Sequence, residues 1–324
     1  MKAIIALEPG GPEVLALKDV DVPVAAPGEI LIKVVAAGVN RADVMQRQGH
    51  YPAPPGASLI MGLECSGTVA ALGDGVSGWA TGDACVALLA GGGYAEYVTV
   101  PAGQVVSPPE EIDMVTAAGL IEVAATVTSN LRLAGLVGGD TFLVHGGAGG
   151  IGSFAIPYAH ALGARVIATA GSEEKLAYCR SIGADLATSY RDDWAAAVAS
   201  FTDDRGVDVI LDNMGAAYLE PNVASLAIGG RLVVIGLQGG RQGTVDLGRL
   251  LTRRAQVMAT SLRARPVAEK AEICRQVVQT VWPLITSGTI KPAPQTRFPL
   301  AATADAHRHL DSGGHLGKTV LTVS

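Results

Sequence analysis

Three glycines stand at a spacing that suits phosphate binding: Gly147-x-Gly149-x-x-Gly152. A short apolar, β-favouring run, Thr141 to Val144, precedes them, and the Ala-rich stretch from Ser153 to Leu162 reads as a helix. In that setting each glycine has a mechanical task. One permits the tight strand-to-helix turn, one lets the backbone approach a pyrophosphate, and one lets helix and strand pack closely. The new helix then turns its free N–H groups and positive dipole end toward the phosphates. With 41 glycines in the chain the spacing alone is weak, but a strand before it and a helix after it point to a dinucleotide.

A site that prefers NAD usually places an acid on the ribose 2′-hydroxyl about 20 residues past this fingerprint. Here the second strand ends Ala168-Thr169-Ala170-Gly171-Ser172, with no acid at its tip. Lys175 follows one helical turn later, and Tyr190 lies just past the third strand. Small and hydroxyl groups leave room for a 2′-phosphate, Lys175 can pair with its charge, and Tyr190 can stack or donate. The expected cofactor is NADPH, although Glu173 and Glu174 would repel a phosphate.

Other chemistries find less support. His50, His145, His160, His307, His309 and His315 are not arranged with Cys or Glu at ligand spacing, and His307-x-His309 on a helix would point apart. No metal is expected. No nucleophile-elbow pattern supports a hydrolase. Cys65, Cys85, Cys179 and Cys274 are scattered without a CxxC pair, which reads as reduced thiols in a cytoplasmic protein.

These residues need elements to hold them. The first third is broken by Gly and Pro into short β-type runs: Lys2–Leu7, Glu29–Ala36, Gly67–Leu72, Asp83–Ala87 and Ala95–Val100. That pattern is barrel-like, with a short helix starting at Asn40-Arg41-Ala42-Asp43. From about Ile112 two helical stretches, Asp113–Leu120 and Thr126–Leu136, lead into alternating strands and helices. Strands are expected at Thr141–His145, Arg165–Thr169, Leu186–Thr188, Val207–Asp212, Arg231–Gly236 and Gln256–Thr260. Helices are expected at Gly150–Leu162, Glu173–Ser181, Trp194–Phe201 and Tyr218–Leu226. Such alternation makes a parallel sheet covered on both faces. The tail reads as a helix over Ala268–Ile285, a Pro-rich connector over Pro292–Pro299, a helix over Thr303–Leu310 and a strand over Gly317–Val323 that returns to the first domain. Pro157, inside the fingerprint helix, should kink it or remove a bond.

The bulk properties agree with a globular α/β protein. Apolar residues make up 49% and charged residues 17%, and 324 residues suffice for about two domains. A net charge of −6 argues against nucleic acid or an anionic membrane as partner. No apolar run is long enough to span a bilayer, and the apolar start is too short for a signal peptide.

The ordered set of motifs resembles the zinc-independent quinone oxidoreductases of the medium-chain dehydrogenase/reductase superfamily. The residues that carry the likeness are Ala37-Gly38-Val39-Asn40-Arg41-Ala42-Asp43, Gly62-Leu63-Glu64-Cys65-Ser66-Gly67, the His145–Gly152 turn and Gly317-Lys318. Met45 to Tyr51, Pro54-Pro55-Gly56-Ala57, Thr169 to Ser172 and Ser261-Leu262-Arg263 are similar to the p53-inducible quinone oxidoreductase branch. The superfamily's zinc enzymes carry a Cys and a Gly-His-Glu where this chain has Asn40 and Leu63, so it resembles the metal-free branch.

The resemblance implies a GroES-like β-barrel-type catalytic domain over 1–124, a Rossmann doubly wound parallel sheet over 125–265, and a return to the catalytic domain over 266–324. It further implies an NADPH-filled cleft between the domains and a cytoplasmic homodimer. Asn40 and Thr126 would lie at the nicotinamide-ribose end, and Gly149, Gly150 and Ile151 over the pyrophosphate. Gly171, Ser172, Lys175 and Tyr190 would hold the 2′-phosphate, while Asn213, Gly236, Leu237 and Gln238 follow the fourth and fifth strands. Ser261, Leu316 and Lys318 would close the far wall.

The expected reaction is hydride transfer from NADPH to a quinone, with the protein positioning the cofactor and stabilising oxyanion charge. Tyr51 is the candidate proton donor, with Asn40 orienting it or the substrate. Two alternatives remain: reduction of an enone or enal double bond by the same hydride, and a non-catalytic NADPH-binding sensor or crystallin-like protein.

Overall fold

The computed structural model describes residues 1–323. In chain order its first elements are β1 (Lys2–Ala6), β2 (Leu15–Asp19), β3 (Glu29–Val39), α1 (Arg41–Arg47), β4 (Glu64–Leu72), β5 (Ala84–Leu88), β6 (Tyr97–Pro101), β7 (Val105–Val106), α2 (Met114–Ala117) and α3 (Ile121–Leu133). Next come β8 (Thr141–Val144), α4 (Gly150–Ala161), β9 (Arg165–Ala170), α5 (Glu173–Ser181), β10 (Leu186–Ser189), α6 (Trp194–Phe201), β11 (Val207–Asp212), α7 (Ala216–Ser225), β12 (Leu226–Val234), α8 (Leu247–Arg253) and β13 (Gln256–Ala259). The tail holds α9 (Val267–Thr280), α10 (Trp282–Thr286), β14 (Gln295–Pro299), α11 (Thr303–Asp311) and β15 (Lys318–Thr322).

Two compact units result. One comprises Met1–Ala125 and the segment from Leu262 onward; the other is Thr126–Ser261. In the second unit the described strands form a sheet in the order β10-β9-β8-β11-β12-β13, all parallel. Numbered within the unit, that order is 3-2-1-4-5-6, the Rossmann arrangement. Its strands are nearly continuous apolar runs because helices cover both faces: Phe142, Leu143, Val144, Val166, Ile167, Val209 and Ile210 are buried. The switch point lies between β8 and β11, where the connections leave in opposite directions.

In the first unit seven described strands form a largely antiparallel sheet, β14-β15-β3-β4-β5-β7 with β6 also on β3, and β1 and β2 pair antiparallel in a sheet of their own. β3 changes partner along its length: Glu29–Lys33 pair with β6, and Ala36–Val39 pair with β15. A register shift between Val34 and Ala36 on the β4 side accompanies the change. The inward faces of β3, β4 and β5 supply Ile30, Ile32, Val34, Val69 and Cys85 to one core.

Several boundaries depart from the expectations. The segment Pro292–Pro299 is not a plain connector, because Gln295–Pro299 pairs in parallel with β15. Pro299 ends that strand at the sheet edge, where a missing N–H costs least. The single helix expected over Ala268–Ile285 is two, α9 and α10, since Pro283 cannot donate to the α9 ladder and instead starts a new helix near its first position. β2 and α8 were not foreseen, and α3 begins at Ile121 rather than Thr126. Pro157 lies within α4, which continues past it as one helix.

Candidate functional site

In the second unit the fingerprint loop leaves the buried end of β8. Gly147 N–H donates to Thr169 O at 2.8 Å, tying the loop to β9, and Gly149 N–H donates to Gly146 O at 3.0 Å, closing the turn. A Cβ at Gly152 would collide with Gly147 Cα and lie 2.5 Å from Gly146 O. At Gly147 a Cβ would lie 2.7 Å from Cys179 Sγ and 2.8 Å from Ala168 Cβ. Gly149 is different: a Cβ there would meet only Gly146 O, at 3.5 Å, so its outer side is open.

The helix that follows is left uncapped. No side chain accepts from the start of α4, whose N-cap is Gly149, so its first-turn N–H groups, those of Gly150 and Ile151 among them, lack an intrahelical partner. The neighbouring helices are treated otherwise. Ser172, Asp193 and Asp246 cap α5, α6 and α8. The start of α7 donates to the carbonyls of Gly239 and Gly240. Open donors at α4 alone of these helices fit an anion in the loop.

His145, the first residue after β8, braces this loop from below. Its Nε2 lies 2.7 Å from Asn222 Oδ1 and its Nδ1 3.1 Å from Thr169 Oγ1. An amide oxygen can only accept, so Nε2 carries the proton and Nδ1 accepts from the Thr169 hydroxyl. Thr169 Oγ1 in turn accepts from Gly146 N–H at 3.4 Å. The ring packs edge-on against Trp194 and Tyr218, and burial pushes its pKa down to about 4, so it stays neutral.

The other candidates in this unit stand at the carboxyl ends of the same strands. A Cβ at Gly171 would collide with the Tyr190 hydroxyl, so Gly171 and Tyr190 are packed directly together. Ser172 Oγ accepts from Lys175 N–H, and partial burial holds the Lys175 amine below its usual range. After β11, the Asp212 carboxylate accepts from Met214 and Gly215 N–H at 2.8 and 2.9 Å and shapes the turn that holds Asn213. Gln238 N–H donates to Asn213 O at 3.3 Å, and a Cβ at Gly236 would lie 2.8 Å from the same oxygen. Asn213 Oδ1 is buried without a partner, while its Nδ2 is 3.2 Å from where a Gly146 Cβ would lie. An orphaned acceptor beside the fingerprint turn fits a bound group that donates to it. Leu237 is half-exposed, and Ser261 follows β13. Asn130 gathers the remaining pair of segments: its Nδ2 donates to Thr126 O at 2.7 Å, and its Oδ1 accepts from Thr260 Oγ1 at 2.5 Å.

In the first unit Asn40 and Lys318 meet over a buried carboxylate. Lys318 Nζ donates to Asn40 Oδ1 at 2.7 Å and pairs with Glu64 Oε1 at 2.6 Å; Asn40 Nδ2 donates to the same Glu64 oxygen at 3.0 Å. Glu64 Oε2 accepts from Glu122 N–H at 3.0 Å. Asn40 also caps α1 reciprocally with Asp43, whose Oδ2 accepts from Asn40 N–H at 2.8 Å. Asp43 accepts further from Gly62 N–H and the Tyr94 hydroxyl, yet burial still pushes its pKa up to about 6. Leu316 lies two residues before β15 and is half-buried.

Tyr51, in the loop that follows α1, is held by Arg263. Arg263 Nη1 donates to Tyr51 O at 3.2 Å, and its guanidinium carbon sits 5.3 Å from the phenol ring centre. Sequence reasoning did not single out Glu64, Arg263, Asp43, His145, Asn130 or Asp212. Glu64 and Arg263 stand within motifs of the family, but nothing in their spacing marks them as partners of Lys318 and Tyr51, which lie 254 and 212 residues away.

The histidines are dispersed. His307 is buried against Arg47, and His309 and His315 face each other at 5.9 Å. Among the described residues no group of three or more His, Cys, Asp or Glu is placed to hold a metal ion. All four cysteines are buried and outside disulfides. No helix of the described residues is long and apolar enough to cross a membrane.

Known proteins share this arrangement. Residues 26–110 match the alcohol dehydrogenase GroES-like domain, and residues 150–283 match the zinc-binding dehydrogenase family. A quinone oxidoreductase of Pseudomonas aeruginosa is 34% identical over 316 residues, covering 96% of each chain. The solved quinone oxidoreductase of Escherichia coli, complexed with NADPH, is 29% identical with a TM-score of 0.89, covering 99% of this chain and 100% of that one. A mycocerosic acid synthase-like polyketide synthase of Mycobacterium tuberculosis is 31% identical over 97% of this chain, which spans 15% of that protein. A GroES-like first unit, a Rossmann second unit and near-full-length relatives above 30% identity place one conclusion beyond the fold: the chain belongs to the medium-chain dehydrogenase/reductase superfamily.

Proposed function

We propose that this protein is an NADPH-dependent, metal-independent quinone oxidoreductase. The observation that carries the cofactor is the uncapped start of α4 behind Gly147, Gly149 and Gly152, with the orphaned Asn213 Oδ1 beside it. Gly149, Gly150 and Ile151 would meet the pyrophosphate through backbone N–H groups. Lys175 would pair with the 2′-phosphate, with Gly171, Ser172 and Tyr190 shaping its pocket; no acid stands at the end of β9 to contact a 2′-hydroxyl. Asn213, Gly236, Leu237 and Gln238, which follow β11 and β12, would line the rest of the cofactor; Asn40 and Thr126 would stand at its nicotinamide-ribose end, and Ser261, Leu316 and Lys318 would close the far wall. NADPH bound in this way supplies a hydride.

The acceptor reading rests on the quinone oxidoreductases that match nearly end to end. Reduction of a quinone by hydride gives the hydroquinone monoanion, which needs one proton. Tyr51 is the proposed donor, and Asn40, fixed by Glu64 and Lys318, orients the reacting groups. Metal-independence rests on Asn40 and Leu63 standing where the zinc enzymes carry ligands. A second reading is reduction of a carbon–carbon double bond conjugated to a carbonyl, by the same hydride from the same cofactor.

The deciding experiment is NADPH oxidation by the purified protein with 1,2-naphthoquinone, run beside NADH, an enone and a chelator. Chelator-insensitive hydroquinone formation that prefers NADPH is the expected result. A saturated ketone as the favoured product would replace the quinone reading with the enone one. Tight NADPH binding without turnover on either acceptor would leave a sensor.

A further inference from the structure

Arg263 is 4% exposed, yet its side chain donates to neutral acceptors. Its Nε donates to Ala90 O at 2.8 Å, Nη1 to Tyr51 O at 3.2 Å and Nη2 to Gln46 Oε1 at 2.8 Å. The buried Lys318 has the Glu64 carboxylate beside it; among the described residues Arg263 has no such partner at ion-pair distance, and Asp43 acts on it only at longer range. Burying a cation without a paired anion is costly, so the uncompensated charge calls for a role. What lies under the guanidinium is the ring of Tyr51, 5.3 Å from its centre. The three bonded acceptors come from α1, the Tyr51 loop and the Ala90 loop, so the fork is fixed on three sides.

We propose that Arg263 is the positioning residue of Tyr51: its guanidinium fork clamps the Tyr51 carbonyl and ring in the pose from which the hydroxyl gives up its proton. A cation over the ring and a bond to the same residue's carbonyl hold Tyr51 from two sides. The step balances. Hydride addition turns the quinone into the hydroquinone monoanion, the Tyr51 O–H bond breaks to protonate it, and the phenolate then recovers a proton from water. This inference rests on the quinone reading and on Tyr51 as donor.

The test is a double-mutant cycle on quinone turnover with Arg263→Met, Tyr51→Phe and both together, with NADPH affinity measured in each protein as a check on folding. Arg263→Met is expected to lower kcat about tenfold when Tyr51 is present and by less than about twofold in the Tyr51→Phe protein. NADPH affinity stays unchanged, and added guanidinium ion restores part of the lost kcat. If Arg263→Met does not fold, Arg263→Lys completes the cycle, since it keeps the charge and loses the fork. Equal losses in both backgrounds would make Arg263 a structural prop and overturn the inference. An unmodified protein that turns over no quinone marks the failure of the functional reading itself, which no result from the variants can mimic.

Discussion

At the scale of single residues, charge placement separates the candidate groups. Lys175 is partly buried with Glu174 beside it, and its amine has been shifted by desolvation. If it pairs with a 2′-phosphate, Lys175→Ala will raise the NADPH Michaelis constant roughly tenfold, the worth of one charge-assisted hydrogen bond, and leave NADH use nearly unchanged. Equal losses with both cofactors would remove the 2′-phosphate assignment. Glu64 is a different case, since Lys318 is 5% exposed and Glu64 fully buried. Glu64→Gln leaves a buried ammonium without its anion, and the expected loss is about 3 kcal/mol of stability, read from urea unfolding. An unchanged midpoint would mean that Lys318 finds its charge balance elsewhere.

At the scale of elements, the strand–turn–helix of β8 and α4 is the least adjustable part of the second unit. The atoms that crowd Gly152 are backbone atoms of Gly146 and Gly147, not the ends of side chains that could swing away. Gly152→Ala must therefore move the turn itself. A displacement near 1 Å is enough to weaken NADPH binding about a hundredfold, measurable by fluorescence titration, while the rest of the fold persists. Wild-type affinity in that variant would show that the turn does not carry the phosphates. The helix starts around it were only partly legible beforehand. Ser172 and Asp193 announce the caps of α5 and α6, whereas the capping of α7 by the Gly239 and Gly240 carbonyls depends on a loop that returns from beyond β12. The edge strand β14 was missed for a related reason: its Pro-rich, partly polar sequence carries little strand signal, and pairing with β15 overrides it.

At the scale of the whole molecule, buried titratable groups set how stability responds to acid. Burial holds His145 down to about 4 and His307 to about 3, with the Arg47 charge adding to the effect on His307. Unfolded, both would titrate near the ordinary 6.5. Their contribution is thus complete above 6.5 and is lost as pH falls, because the unfolded chain takes up protons that the fold refuses. Asp43 runs the other way: its folded pKa of about 6 lies above the usual 3.8, so the fold binds that proton first and gains as pH drops through 6. Two histidines against one carboxyl leave a net uptake on unfolding. The urea midpoint is expected to fall between pH 6 and 4, with a slope on the order of 1 kcal/mol per pH unit. A flat or rising midpoint over that range would contradict it.

Much of the architecture could be read without coordinates, because it rests on local signals. Glycines at 147, 149 and 152 between an apolar strand and an Ala-rich helix, and the alternation of apolar strands with helices through 260, already specify the parallel sheet. Periodicity and turn chemistry act over a few residues, so they survive in a linear chain. The contacts inside the candidate site do not. That Lys318 meets Glu64 and Asn40, that Arg263 covers Tyr51, and that His145 reaches Thr169 and Asn222 depend on chain segments 24 to 278 residues apart. Only folding brings those segments together, and only burial then turns an ordinary Lys, Arg or His into a group whose charge has to be matched.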